Sequence, residues 1–275
     1  MTMVWIDGRV TDAADASVAA LDHGITVGDG VFETLKVVHD TPFAMHRHLA
    51  RLRRSAEVLG LTVPLPDDQI RGAVKELLDA VAAAGRLRIT VTGGPGPLGS
   101  GRDDVRATLL LAASPAGTWP PTATVVTVPW VRNERSPVAG AKTTSYAENV
   151  VALADAHRRG ASEAILANTV GALCEGTGSN VFLASGGRLR TPSLATGCLA
   201  GVTRELLLEV IDAEEVGTLT LDDLRSADEA FLTSSTRDVQ PIAEVDGRTL
   251  PRAPGPLTQA AIEAFATLQA ADLDP

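Results

Sequence analysis

Lysine is scarce in this chain: Lys36, Lys75 and Lys142 are the only three among 24 basic side chains, and all the others are arginine. A guanidinium stays protonated and forms no imine, whereas an ammonium can shed its proton when desolvated and attack a carbonyl. Lys142, the one lysine after Glu76, stands in Ala141-Lys142-Thr143-Thr144-Ser145-Tyr146, just ahead of a helical pattern, and is a candidate Schiff-base residue. Taken by itself, scarcity favours an ordinary surface lysine over a reactive one. Glu175, in Leu173-Cys174-Glu175-Gly176-Thr177-Gly178-Ser179-Asn180, is a lone acid on an apolar strand. A carboxylate so placed needs a cation, either a structural ion pair or the ring nitrogen of a ligand.

Two further segments suit an anion. In Gly201-Val202-Thr203-Arg204 a glycine turn leads into a helix with Thr203 as the expected N-cap, and the amides of such an end suit a phosphate as well as a plain cap. Ser234-Ser235-Thr236 follows a strand and offers three hydroxyls, a phosphate or carboxylate site or simply a polar turn. An imine-forming lysine, an isolated carboxylate and a helix-end phosphate site are the three groups that pyridoxal phosphate requires. Two other matches are set aside. Gly94-Pro95-Gly96-Pro97-Leu98-Gly99 has the spacing of a dinucleotide loop, but prolines interrupt it and a strand follows instead of a helix. His46-Arg47-His48 puts two imidazoles at i,i+2, which face different ways on a helix, so no metal is expected.

These residues need elements to hold them. Met3–Ile6, Val31–Val38, Arg86–Thr92 and Arg106–Ala113 read as strands in the first part of the chain, with Asp7-Gly8 as a hairpin turn. Between them, 46–59 and 67–84 have helical spacing and are expected to stop at Gly60 and Gly85. Ser114–Pro121 is the best linker, so a smaller domain of residues 1–114, a linker of 115–121 and a larger domain of 122–275 are expected. In the second part a strand opens at Ala123, Ser145-x-x-Glu148 fits a capping box, and helices at 204–211 and 257–268 bracket a hairpin on Asp246-Gly247. The mixture suggests an α+β fold. A net charge of -10 and a pI of about 5.0 argue against nucleic acid or anionic membrane as partners. The N-terminal stretch lacks a signal-peptide pattern, no apolar run is long enough to span a membrane, and the two cysteines are too few for a disulfide scaffold, so a cytoplasmic protein is expected.

Five stretches together resemble the class IV aminotransferases: Gly28-Asp29-Gly30-Val31-Phe32-Glu33-Thr34, Lys142 with Tyr146, Glu175 to Asn180, Leu199 to Arg204, and Ala227 to Thr236. The group comprises branched-chain, D-amino-acid and (R)-amine transaminases and aminodeoxychorismate lyases. The resemblance runs from Trp5 to about Val245 and implies a two-domain pyridoxal 5'-phosphate fold of type IV, with the cofactor at the domain interface, in a homodimer. It implies that Lys142 holds the cofactor and shuttles the substrate proton, that Glu175 pairs with the pyridine nitrogen, and that Tyr146 meets the phenolic oxygen. Arg51 occupies the family's phosphate-arginine position, joined by the amides of Val202 and Thr203 and by Ser235 or Thr236; Arg53 and Arg54 are read as solvated helix-face charges. The glycine motif looks more like the D-amino-acid transaminases and lyases than the branched-chain enzymes. Phe32, Arg86, Arg88 and Arg237 are the candidate substrate-binding residues, with Arg102 near the pocket mouth, because arginine forks suit carboxylates. The alternative for Arg86 and Arg88 is an exposed strand face, which fits Arg86 better than Arg88, and for Arg237 it is a side chain pointing to solvent. The expected reaction is transamination of small amino acids or amines, D-type or mixed, with a keto-acid acceptor. The alternative is an aminodeoxychorismate lyase, with a branched-chain enzyme ranked below both.

Overall fold

In the computed structural model, residues 2–102 and 106–275 are described; Met1, the first residue of the N-terminal stretch read above, lies outside them with 103–105. The chain forms two compact units. The first runs to Gly117 and also takes in Ala141–Tyr146 and Asp274, so the lysine segment packs with the first unit although it follows the linker in sequence.

The first unit contains β1 (Met3–Ile6), β2 (Arg9–Asp12), α1 (His23–Thr26), β3 (Gly30–Val38), β4 (Thr41–Pro42), α2 (Met45–Leu59), α3 (Asp67–Asp79), β5 (Ala84–Thr92) and β6 (Thr108–Pro115). Its strands form one sheet in the order β2-β1-β6-β5-β3-β4. Strict alternation in β5 sends Leu87, Ile89 and Val91 into a core shared with Leu49, Leu52 and Ala56 of α2 and Ile70, Val74 and Leu77 of α3. Three local expectations need correction. Helix α3 stops at Asp79 instead of running on to Gly85, because Ala83 turns the chain at φ 53° and Gly85 already belongs to β5. A Cβ on Gly85 would stand 2.5 Å from the Ala116 nitrogen, so glycine is there for close strand approach and not as a helix stop. Strand β6 starts and ends two residues later than expected, reaching into the proposed linker.

The second unit contains β7 (Ala123–Arg132), α4 (Ala147–Arg158), β8 (Glu163–Asn168), β9 (Leu173–Gly176), β10 (Asn180–Ser185), β11 (Arg188–Pro192), α5 (Val202–Val210), β12 (Glu214–Val216), α6 (Leu221–Arg225), β13 (Glu229–Ser234), β14 (Asp238–Val245), β15 (Arg248–Thr249) and α7 (Pro256–Ala271). The sheet order is β12-β11-β10-β13-β14-β7-β8-β9, with β15 beside β14. Strands β14, β7 and β8 are mutually parallel and the β9, β10 and β13 pairings are antiparallel, which makes the fold α+β. In β8 every residue is buried: Ile165 joins one core with Val125 and Leu232, while Ala164 and Leu166 join another beneath Ala152 and Ala156 of α4. Helix α4 begins at Ala147, later than the Ser145 capping box implies, because the Ser145 hydroxyl donates to Gly28 O at 2.9 Å. Helix α5 begins two residues earlier than expected, with Gly201 as N-cap, so Thr203 lies inside its first turn.

A buried acid fastens the last helix. Glu229 of β13 accepts from the Leu257 and Thr258 amides at 3.2 and 2.8 Å, and its carboxyl carbon lies where a Cβ on Gly255 would be only 2.4 Å away. The Glu229→Ala variant leaves those helix-end amides without a partner inside the fold, at a cost of about 1–3 kcal/mol. Its urea midpoint is expected to fall with an unchanged m-value; an unshifted midpoint would show that the cap contributes nothing.

Candidate active site

In the first unit the glycine motif exists to let the lysine segment pass. Gly28 has φ 68°, and a Cβ there would stand 2.8 Å from the Ser145 hydroxyl; one on Gly30 would meet Val91 O and Thr144 Oγ1 at 2.9 Å. The segment adds itself to the edge of β3: Phe32 N donates to Lys142 O at 3.0 Å and Thr144 N to Gly30 O at 2.8 Å. Lys142 N in turn donates to Ser55 Oγ of α2 at 3.0 Å. The Lys142 amine is thereby brought 4.4 Å from the Phe32 ring centre and 5.8 Å from that of Tyr146, the only tyrosine of the chain. Those rings meet edge to face at 5.1 Å, and the Arg88 guanidinium lies 3.7 Å over Phe32.

Behind Phe32, on the opposite face of β3, Glu33 is fully buried. Arg51 donates to it through Nε at 2.8 Å and Nη2 at 2.6 Å, and His48 Nδ1 lies 2.7 Å away. Burial would raise the Glu33 pKa, but the Arg51 charge and hydrogen bonds, with help from His48, bring it down to about 2. Burial pushes His48 down from its ordinary value despite the Glu33 bond, with Arg51 and Lys142 adding to the effect. A carboxylate only accepts, so the neutral imidazole carries its proton on Nδ1. The sequence reading missed Glu33 and weighed His48 only as a metal ligand. An acid inside the apolar run Val31–Val38 was the same signal that singled out Glu175. The neighbouring His46 faces elsewhere, bonding Asp274 at 3.0 Å.

In the second unit Glu175 is buried on β9. Arg132 Nε stands 3.0 Å from its Oε1, and the Leu199 amide donates to Oε2 at 2.9 Å. Asn180 Nδ2 donates to Leu199 O at 2.9 Å, so the two ends of the Glu175–Asn180 motif pin one residue from both sides. The Asn180 amide oxygen fills the space beside Gly201, where a Cβ would come within 2.0 Å. No side chain caps α5, and its first internal bond is Glu205 N to Gly201 O at 2.8 Å, so the Val202 and Thr203 amides lie ahead of the helical ladder. Ser235 and Thr236 are half-buried in the turn between β13 and β14. Just before them, Thr233 Oγ1 is buried and without a protein partner.

Arg237 and Arg102 are each held by a carboxylate of the fold. Arg237 is stacked 3.7 Å over Trp119, donates to Gln240 Oε1 at 2.5 Å, and lies 3.4 Å from Glu163 Oε2. Its side chain is 5% exposed, which leaves no open fork for a substrate carboxylate. Glu163, also missed, accepts from Thr177 and Ser179 and so holds the turn between Glu175 and Asn180. Arg102 grips Asp29 through Nε at 2.7 Å and Nη2 at 2.5 Å and reaches Leu59 O at the end of α2. Arg86 is half-buried beside Gly117, whereas Arg88 is exposed. Arg53 pairs with Asp67 on the surface. Among the described residues no group of three His, Cys, Asp or Glu could hold a metal ion.

Each unit taken by itself holds groups of the kind pyridoxal phosphate requires: the first an amine beside two aromatic rings, the second a held carboxylate and an uncapped helix end. The comparisons agree. The family model described as "Amino-transferase class IV" matches residues 30–245, and the chain belongs to that pyridoxal-phosphate-dependent family. A Methanocaldococcus jannaschii protein provisionally described as a branched-chain-amino-acid aminotransferase is 32% identical over 90% of this chain and 89% of its own length. A D-alanine aminotransferase of Bacillus licheniformis is 31% identical over 93% of both chains. The structure of a branched-chain aminotransferase from Thermoproteus uzoniensis with norvaline superposes with a TM-score of 0.87 at 31% identity, covering 97% of this chain and 94% of that one. Relatives described as aminodeoxychorismate lyases match as well. The fold is the type IV fold of these enzymes.

The depressed pKa of Glu33 sets an acid limb. A carboxylate whose pKa is lowered by folding contributes stability that is full above its ordinary value of 4.5 and is lost as pH falls toward about 2. In urea unfolding, the stability gap between wild type and Glu33→Gln should therefore narrow by about 1 kcal/mol or more between about pH 5 and about pH 3. A constant gap would remove Glu33 as its source.

Proposed function

We propose that the chain is an aminotransferase for small amino acids or amines, of D-amino-acid or mixed specificity, passing the amino group to a keto acid. The observation that carries this reading is the convergence of an amine and an exposed arginine fork on one ring: the Lys142 amine and the Arg88 guanidinium both lie against Phe32. When bound, pyridoxal phosphate supplies an aldehyde that captures an amine and a protonated ring that accepts the electron pair released as a Cα–H bond breaks. Lys142 Nζ is the group that captures the cofactor and then carries the substrate proton. Glu175, held by Arg132 and the Leu199 amide, would pair with the ring nitrogen. Arg51, whose Nε and Nη2 are on Glu33, would meet the phosphate through Nη1, together with the amides of Val202 and Thr203 and the hydroxyls of Ser235 and Thr236, and Tyr146 would orient the ring.

Arg88 takes the substrate carboxylate. With Arg237 and Arg102 committed to Glu163 and Asp29, this reading assigns the substrate one open fork, which suits a monocarboxylate such as D-alanine. The D-alanine aminotransferase relative supports the D-type reading. The provisionally described branched-chain relative, at 32% identity, favours a branched-chain L-amino-acid donor as the second reading. The aminodeoxychorismate lyase relatives keep pyruvate release as a third outcome of the test. A homodimer is part of the proposal, supported by apolar side chains exposed on the single chain, among them Val150 and Val151 of α4 and Ile25 of α1. A cytoplasmic setting is part of the proposal, supported by the free thiols of Cys174 and Cys198.

The Lys142→Ala variant is expected to lose the visible absorbance of the covalently held cofactor; a retained band would refute the assignment. D-Alanine should convert that band to the near-ultraviolet form and a keto acid should restore it. Conversion only by L-leucine would favour the branched-chain reading, and pyruvate release from aminodeoxychorismate alone would favour the lyase. Arg88→Ala should raise KM for amino-acid donors about ten- to a hundredfold, as loss of a charge-assisted carboxylate contact implies. Donor amines without a carboxylate should be spared; an equal effect on both would remove Arg88 from carboxylate binding.

A further inference from the structure

We propose that Ser55 is a positioning residue for Lys142: its buried hydroxyl oxygen holds the lysine's backbone amide and thereby sets where the side-chain amine is delivered. The inference rests on Lys142 being the amine that captures the cofactor. Ser55 is 2% exposed near the end of α2, a place where serine is a poorer helix former than alanine. The lysine segment lies in neither helix nor strand, so the Lys142 N–H has no ladder partner of its own and takes Ser55 Oγ at 3.0 Å. Other bonds of the segment go to β3 and its approach: Phe32 N to Lys142 O, Thr144 N to Gly30 O, and the Thr144 and Ser145 hydroxyls to Gly28 O. Bonds to one strand edge fix height along that edge but leave the segment free to hinge about it. Ser55 supplies a hold from a second element.

His48, Arg51 and Ser55 follow one another at i, i+3 and i+7, which puts them on one stripe of α2. Glu33 locks the first two against β3. One rigid helix face therefore carries both the arginine assigned to the phosphate and the tether of the lysine, and it sets the spacing between them. A lysine amine sits at the end of four methylenes, so a small backbone shift is felt at the reacting atom, where about 1 Å of misplacement costs about a hundredfold.

The test uses the full-length protein with and without pyridoxal phosphate. In Ser55→Ala, which is compatible with a helix, hydrogen–deuterium exchange at the Lys142 amide should be about tenfold faster or more with an unchanged global Tm. In the loaded enzyme, kcat for the donor half-reaction should fall about tenfold at unchanged KM, the pattern for an interaction realised in the transition state. Ser55→Thr, which keeps the acceptor oxygen, should restore both. Wild-type exchange at Lys142 in Ser55→Ala, or a kcat within about twofold of wild type, would overturn the proposal. Borohydride reduction of the loaded wild type with peptide mapping tests the underlying assignment separately. Label on another residue overturns that assignment and this inference together, whereas label on Lys142 with an unaffected Ser55→Ala overturns this inference alone.

Discussion

The peptide of Lys142 is hydrogen-bonded on both sides, its carbonyl to Phe32 N on the edge of β3 and its amide to Ser55 on α2. Much else in the first unit serves this attachment. Gly28 and Gly30 lack side chains where the segment passes, and the N-terminal end of β3 has its outer edge filled by a piece of chain more than a hundred residues later. Glu33 and Phe32 are consecutive and therefore point to opposite faces of the strand. One anchors the strand to α2 through two basic side chains, and the other offers a ring to the lysine and to Arg88.

The second unit solves a different problem, holding a helix end open. An uncapped N-terminus would be costly if it were buried without an acceptor. Here the approach to α5 is fixed from outside: Glu175 takes the Leu199 amide, Asn180 takes its carbonyl, and Glu163 holds the turn between those two residues. Arg132 offsets the burial of Glu175 without using up both of its oxygens. The acid and the asparagine of this motif are thus one device that serves a loop about twenty residues downstream.

Local chemistry was legible in the sequence and long-range pairing was not. Asp7-Gly8 and Asp246-Gly247 both take the positive φ values of hairpin turns, Gly60 stops α2, and the alternation of 86–92 gives its buried face. The end of α3 was misjudged because Val81 and Ala82 continue an apolar pattern, while the turn at Ala83 is imposed by the strand that must start at Ala84. Lys142, Glu175 and the glycine turn ahead of α5 stand out by residue type and order. Ser55, Arg132 and Glu163 could not, because each is defined by a partner between 14 and 87 residues away. Arg237 and Arg102 show the same limit: a sequence shows a guanidinium but not the carboxylate that already holds it.

The near-absence of lysine gains a physical reason from these pairs. Arg51, Arg102 and Arg237 each place more than one nitrogen on partners at once, and Arg51 does so on both oxygens of Glu33. A lysine ammonium is a point charge that cannot reproduce a planar fork, and it loses its proton readily when buried. Arginine thus keeps its charge in the interior and holds Glu33 ionised down to about pH 2. Fixed charges of this kind orient groups but cannot relay a proton. The amine at Lys142 can, and arginine at that position would keep the positive charge while removing the chemistry.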